Sequence, residues 1–197
     1  MKTVILNKAK FIFINLFLIL YSIKILHASD IKDFQLEGIS IGDNLTSHMS
    51  EDQIFEYDQK HYEKNSKFFE TQLPSGKGNY DYILFHIKRK DKNFTIHLIR
   101  GANVVSNLNE CMTQKKNAVL ELKKLFPNEK LREGKQKHYF YKNTTQNISQ
   151  FEFRNGDLVK LECTIYDKRD KEIHGNLYDL FEVSIGTKEF YDWIEKL

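Results

Sequence analysis

Two pairs of residues have types and spacing that could carry chemistry. Cys111 and Cys163 are the only cysteines in the chain. An even count in an exported protein favours a disulfide, with two buried free thiols as the alternative and a catalytic thiol as a third reading. A bridge closing a loop of this length contributes about 4 kcal/mol in the chain-entropy model. His86 and His97 flank a hairpin turn. If that turn centres on Asp91-Lys92, the two imidazoles face each other about 5 Å apart and could share a metal or titrate as a pair. Spacing supplies no third ligand, so no metal and no cofactor is expected beyond the His86–His97 candidate.

The other motif tests point away from catalysis. The chain has no Gly-x-Ser-x-Gly elbow, no His-Glu-x-x-His, no phosphate-binding glycine loop and no EF-hand pattern. Lys88-Arg89-Lys90 reads as the solvated end of a hairpin. Residues 123–142 form a locally basic stretch that could meet an anionic lipid or polymer. No catalytic residue is singled out.

The first 28 residues read as a cleavable export signal. Lys2, Lys8 and Lys10 make a basic start, residues 11–23 are dominated by Phe, Ile and Leu, and small residues follow at Ala28-Ser29. As a helix, residues 11–26 would reach only about 24 Å, short of a bilayer core of about 30 Å. A retained anchor is the rival reading. Four of the 30 basic residues lie in this segment and no acidic residue does, which leaves 26 against 27 in residues 29–197. The apparent basicity therefore belongs to the signal, and a nucleic-acid partner loses its electrostatic footprint. Periplasmic or secreted localisation follows, with no stable membrane span after cleavage.

These residues need elements to position them. Residues 31–41 look extended, with Phe34 and Leu36 on one side. Ser50 with Gln53 predicts a capping box opening a short helix. A strand is expected near Phe68-Phe69, followed by a loop at Pro74, Gly76 and Gly78. A hairpin of 82–88 with 94–100 places Phe85 opposite Leu98 and Ile87 opposite Ile96, on one face. The best helix spans 108–126, capped by Asn107 and ended by Pro127, with Cys111, Ala118, Val119, Leu122, Leu125 and Phe126 on its inner face. Strands follow at 139–141, 150–153 and 158–166. A three-residue loop Arg154-Asn155-Gly156 with a left-handed glycine sets Phe151 opposite Val159 and keeps Phe153, Leu161 and Cys163 on the same face. Phe181, Val183 and Ile185 alternate in a last strand, and Thr187 opens a terminal helix with the stripe Phe190, Trp193, Ile194, Leu197. The predicted fold is α+β: an antiparallel sheet of hairpins, one long helix packed across it and a short C-terminal helix, all in one domain over 29–197.

The opening Asp30-Ile31-Lys32-Asp33-Phe34-Gln35-Leu36-Glu37-Gly38-Ile39-Ser40-Ile41-Gly42-Asp43 resembles the start of small exported proteins of unknown function from Pelagibacter-type marine alphaproteobacteria. The resemblance continues through Asn155-Gly156-Asp157-Leu158-Val159 with Cys163, and through residues 183–190 with Trp193. It implies an exported bacterial protein and transfers no activity. A shorter likeness covers Gly38-Ile39-Ser40-Ile41-Gly42-Asp43 and the helix after it. That stretch is similar to the turn-helix opening of beta-lactamase-inhibitor-like and outer-membrane-assembly lipoprotein modules, without their lipid-anchored cysteine.

The expected function is a non-catalytic binding or interaction module whose partner is an envelope protein or a small ligand. A structural envelope-associated role and a hydrolase-like enzyme are the alternatives. A deep pocket gathering His86, His97 and carboxylates would favour the enzyme. An exposed apolar patch without a pocket would favour a protein partner.

Overall fold

The structure is a computed structural model that describes residues 31–73 and 78–197. The expected export signal at 1–28 and the expected loop positions Pro74 and Gly76 lie outside the described residues. The strands are β1 (Phe68–Gln72), β2 (Tyr82–Lys88), β3 (Ile96–Val104), β4 (Lys130–Lys137), β5 (Thr145–Glu152), β6 (Leu158–Ile165) and β7 (Leu180–Gly186). The helices are α1 (Glu51–Glu56), α2 (Leu108–Leu125), α3 (Lys168–His174) and α4 (Lys188–Ile194). All seven strands join one antiparallel sheet in the order β1-β2-β3-β7-β6-β5-β4. Two three-strand meanders thus stand side by side, and the last strand enters between them. The fold is α+β, with the long helix packed across one face.

That face carries the main core. Phe85, Ile99, Val183, Leu161 and Phe151 pack there with Val119 and Leu122 of α2 and with Ile31, Leu36 and Leu45 from the N-terminal segment. The Asn107 side chain accepts from Glu110 N and starts α2. Cys111, one turn in, is disulfide-bonded to Cys163 on β6, with their Cα atoms 5.8 Å apart. The expected capping box also forms, with Ser50 and Gln53 each accepting from the other's backbone N–H at the start of α1. Phe151 stands opposite Val159, and Gly156 has φ 85°. The expected three-residue loop with a left-handed glycine therefore forms.

Several expectations are corrected. Residues 31–41 are not extended: Ile31–Asp33 form a 3₁₀ turn, and Leu36 and Ile39 close a tight turn whose central Glu37 and Gly38 both have positive φ. Hairpins favour that mirror-image turn because its twist matches the flanking chain. Residues 139–141 are not a strand but part of a loop closed by His138 N donating to Thr144 O. The strand before β5 is instead β4, a charged edge whose Lys and Arg side chains blunt further pairing. Leu125 is 47 % exposed, and Lys115 takes a buried place on the inner face of α2. Leu197 is exposed, and the buried stripe of α4 is Phe190, Tyr191 and Ile194.

The hairpin register is half right. Ile87 faces Ile96 as expected, but Phe85 faces Ile99 and His86 faces Leu98, with a bulge between. The extra residue is His97. Its neighbours explain the slip: Ile96 exchanges backbone bonds with Gly42 and Asp43, and His97 O accepts from Thr187 N. Phe85 and Leu98 consequently lie in different apolar clusters.

Candidate functional site

The bulge separates the two histidines that spacing had paired. His86 is fully buried, its Nε2 3.0 Å from Glu70 Oε2 and 2.9 Å from Tyr62 Oη. His97 instead lies near Thr187 Oγ1 and Glu189, with its ring against Phe68. The expected His86–His97 contact therefore does not form. Among the described residues no group of three or more His, Cys, Asp or Glu side chains could hold a metal ion.

The chemistry sits on the sheet face opposite α2. Alternation along β6 sends Val159, Leu161 and Cys163 into the main core, and so sends Lys160, Glu162 and Thr164 to the other side. Neighbouring strands complete the pattern. Arg100 on β3 faces Ser184 on β7, which faces Lys160 on β6. The next row places Glu182 directly opposite Glu162. Two rows, one of donors and one of acids, thus lie about 7 Å apart along the strands.

This face floors a cavity of about 380 Å³. Its walls come from four places. The 138–144 loop supplies His138, Tyr139, Phe140 and Tyr141, α4 supplies Phe190, Tyr191 and Ile194, and Tyr62 and Tyr166 close the sides. The loop is pinned by Asp170 of α3, whose carboxylate accepts from Asn143 Nδ2 and Thr144 Oγ1, both at 2.7 Å. α4 is set by its Thr187 cap and by Tyr191 Oη, 3.2 Å from Ser184 Oγ.

The carboxylates have partners. Glu70 Oε1 lies 2.8 Å from His61 Nδ1, while Oε2 meets His86. Burial opposes the Glu70 charge, but His86, His61 and Arg100 outweigh it and hold the carboxyl well below its ordinary range. Burial pushes the His86 imidazole down despite Glu70. A neutral His86 that donates Nε2–H to Glu70 leaves Nδ1 as an acceptor, and Nδ1 has no partner. Glu162 Oε1 accepts from Gln136 Nε2 at 3.2 Å. Glu182 Oε2 accepts from Thr164 Oγ1 at 3.1 Å, and its Oε1 is 3.5 Å from Arg100 Nη1. Burial, with the nearby Glu162 charge, raises the Glu182 carboxyl despite Arg100.

The cations are less well matched. Arg100 Nε is buried without a partner, although burial's penalty on the guanidinium is overcome by Glu182, Glu162 and Glu70. Lys160 is only 4 % exposed, and its Nζ lies 4.4 Å from the Tyr191 ring centroid. No hydrogen bond or ion pair to a described residue reaches that ammonium, and burial pulls its pKa down. The nearby Glu162 and Glu195 charges favour the ammonium but do not offset the cost of burying it.

Sequence reasoning located the disulfide and the core face but missed this floor. The available signal was the alternation itself. Lys160, Glu162 and Thr164 share a face of β6, Glu182 and Ser184 share a face of β7, and both strands have apolar partners on the other side.

No protein-family model matches the chain, and neither the curated proteins nor the solved structures contain a match.

Proposed function

We propose that this protein is an exported, periplasmic or secreted module that binds a small molecule in the pocket on the polar face of its sheet. One observation carries the reading: a cavity of about 380 Å³ with a charged floor and aromatic walls. Ligand sites combine that size with a few convergent polar groups. A solvated sheet face needs no such roof, and burying Lys160, Glu162 and Glu182 costs stability that a structural role would not require. Among the two partner classes foreseen, a small ligand is favoured over an envelope protein. The Cys111–Cys163 disulfide is compatible with a place outside the cytoplasm, and no described helix is long and apolar enough to cross a membrane. Residues 1–28 are the proposed export signal, and the N-terminus of the mature protein from a bacterial host reports whether cleavage follows Ala28.

The test is thermal unfolding of the disulfide-bonded protein against a metabolite library, paired with mass spectrometry of molecules released when natively purified protein unfolds. A ligand raises the transition in a concentration-dependent way. If no compound does so and nothing is released, the reading is wrong.

A hydrolytic role is the second reading, favoured by the raised carboxyl of Glu182 opposite Glu162. A carboxyl whose pKa is raised beside another acid is a candidate proton donor. Product formation from the bound compound, lost in Glu182→Gln with binding retained, would establish it.

A further inference from the structure

Resting on the pocket reading above, we propose that the ligand is a small zwitterion. It is an α-amino-acid-like molecule whose carboxylate meets the row Arg100-Ser184-Lys160 and whose ammonium meets Glu162 and Glu182. The first support is what the floor leaves unfilled. Lys160 offers three N–H groups with no acceptor, and Arg100 Nε–H has none either. Both line the same cavity, and Ser184 stands between them in register. A ligand carboxylate would supply the acceptor missing at Lys160 by a charge-assisted hydrogen bond and would lie beside the Arg100 guanidinium.

The second support is the adjacent row. A simple anion at Lys160 would also face Glu162 and Glu182, one residue pair along the same strands, with Glu70 in the same cavity. A simple cation at those acids would meet Arg100 and Lys160. Only a molecule with both signs matches both rows. A neutral polyol could hydrogen-bond to the floor but would neutralise neither row. The walls add the last constraint. Tyr62, Tyr139, Phe140, Tyr166 and Tyr191 line the cavity and supply aromatic surface for an apolar or aromatic side chain.

Isothermal calorimetry on the disulfide-bonded chain tests this with each common L-amino acid and with molecules that keep one charge only. L-Phenylalanine is matched with phenethylamine and 3-phenylpropanoate, and L-leucine with 3-methylbutylamine and 4-methylpentanoate. Glucose and glycerol are the neutral probes. The expected result is that at least one amino acid binds, that its two half-molecules bind at least ten-fold more weakly, and that Lys160→Met weakens the amino acid at least ten-fold. A half-molecule or neutral probe binding as tightly as every amino acid overturns the zwitterion while leaving the pocket standing. Silence from all these probes overturns it too. If the metabolite library and the released-ligand measurement are equally silent, the pocket reading falls with it.

Discussion

The ammonium of Lys160 lies 4.4 Å from the centre of the Tyr191 ring, and Tyr191 Oη lies 3.2 Å from Ser184 Oγ, on the residue directly opposite Lys160. One aromatic side chain from α4 thus covers the lysine and fixes the serine beside it. α4 is held against the sheet by Phe190, Tyr191 and Ile194, which cluster with Phe68 and Leu98. The docking of the C-terminal helix and the shape of the pocket are therefore one structural event.

Lys160→Met should leave stability unchanged or raise it. Breaking a buried ion pair costs roughly 3–5 kcal/mol, whereas replacing a buried charge by an apolar side chain of similar size is often neutral or stabilising by about 1–4 kcal/mol. Lys160 makes no hydrogen bond or ion pair to a described residue, and the charges of Glu162 and Glu195 do not offset its burial. Urea unfolding should therefore show no loss of stability. A loss of several kcal/mol would show that the ammonium is a structural partner rather than a group held for a ligand.

Gly186→Ala tests the coupling of helix and pocket. A Cβ there would sit 2.7 Å from Tyr191 Cε2 and 2.9 Å from Leu98 Cδ1. Crowding of this kind costs about 1–3 kcal/mol. Displacing the ring should also weaken ligand binding measured by calorimetry. Wild-type stability together with wild-type affinity would contradict the arrangement.

Replacing both Cys111 and Cys163 by Ala removes the bridge without leaving a lone thiol. The sequence separation is 52 residues, which places the expected loss at about 4 kcal/mol. In a chain of this size that lowers the thermal midpoint by roughly 8–16 °C. A midpoint that does not move would mean that α2 is held to β6 by packing alone.

His138 supplies a pH signature. Its Nδ1 accepts from Phe140 N at 3.1 Å and from Tyr141 N at 3.3 Å, so protonation there forfeits both bonds. Burial, with Arg100 adding to it, pulls the imidazole down from 6.5 to about 4. The unfolded chain binds this proton more readily, so the contribution is complete above about 6.5 and fades as pH falls toward 4. His86, lowered by burial, acts in the same sense. His61 acts oppositely: its hydrogen bond to Glu70 raises it, so its contribution is present at low pH and lost as pH rises through the raised value. Its side chain is 55 % exposed, which screens that effect. An imidazole NMR titration should place His138 near 4, with urea unfolding showing lower stability at pH 5 than at pH 7. A midpoint near 6.5 would contradict the buried geometry.

The legible parts of this fold were those with one apolar and one polar face. Alternation in β6 and β7, the long stripe of α2 and the Gly156 loop could be read because burial on one side fixes register. β4 could not be read, since an edge strand such as Lys130–Lys137 has no apolar alternation to show. The bulge at His97 escaped because it depends on backbone bonds from Gly42, Asp43 and Thr187, all distant in sequence. The pocket floor escaped for a related reason. Polar residues on the second face of a strand look solvated until Tyr62, the 138–144 loop and α4 are seen to cover them.

The central claim is that this covered polar face, and not the α2 side, receives a ligand. Two-dimensional NMR of the labelled protein with the best-binding amino acid tests it most directly. Shifts should concentrate at Arg100, Lys160, Glu162, Glu182, Ser184 and the 138–144 loop. Shifts clustered on the outer face of α2 or around His97 and Glu189, with those pocket residues unmoved, would contradict it.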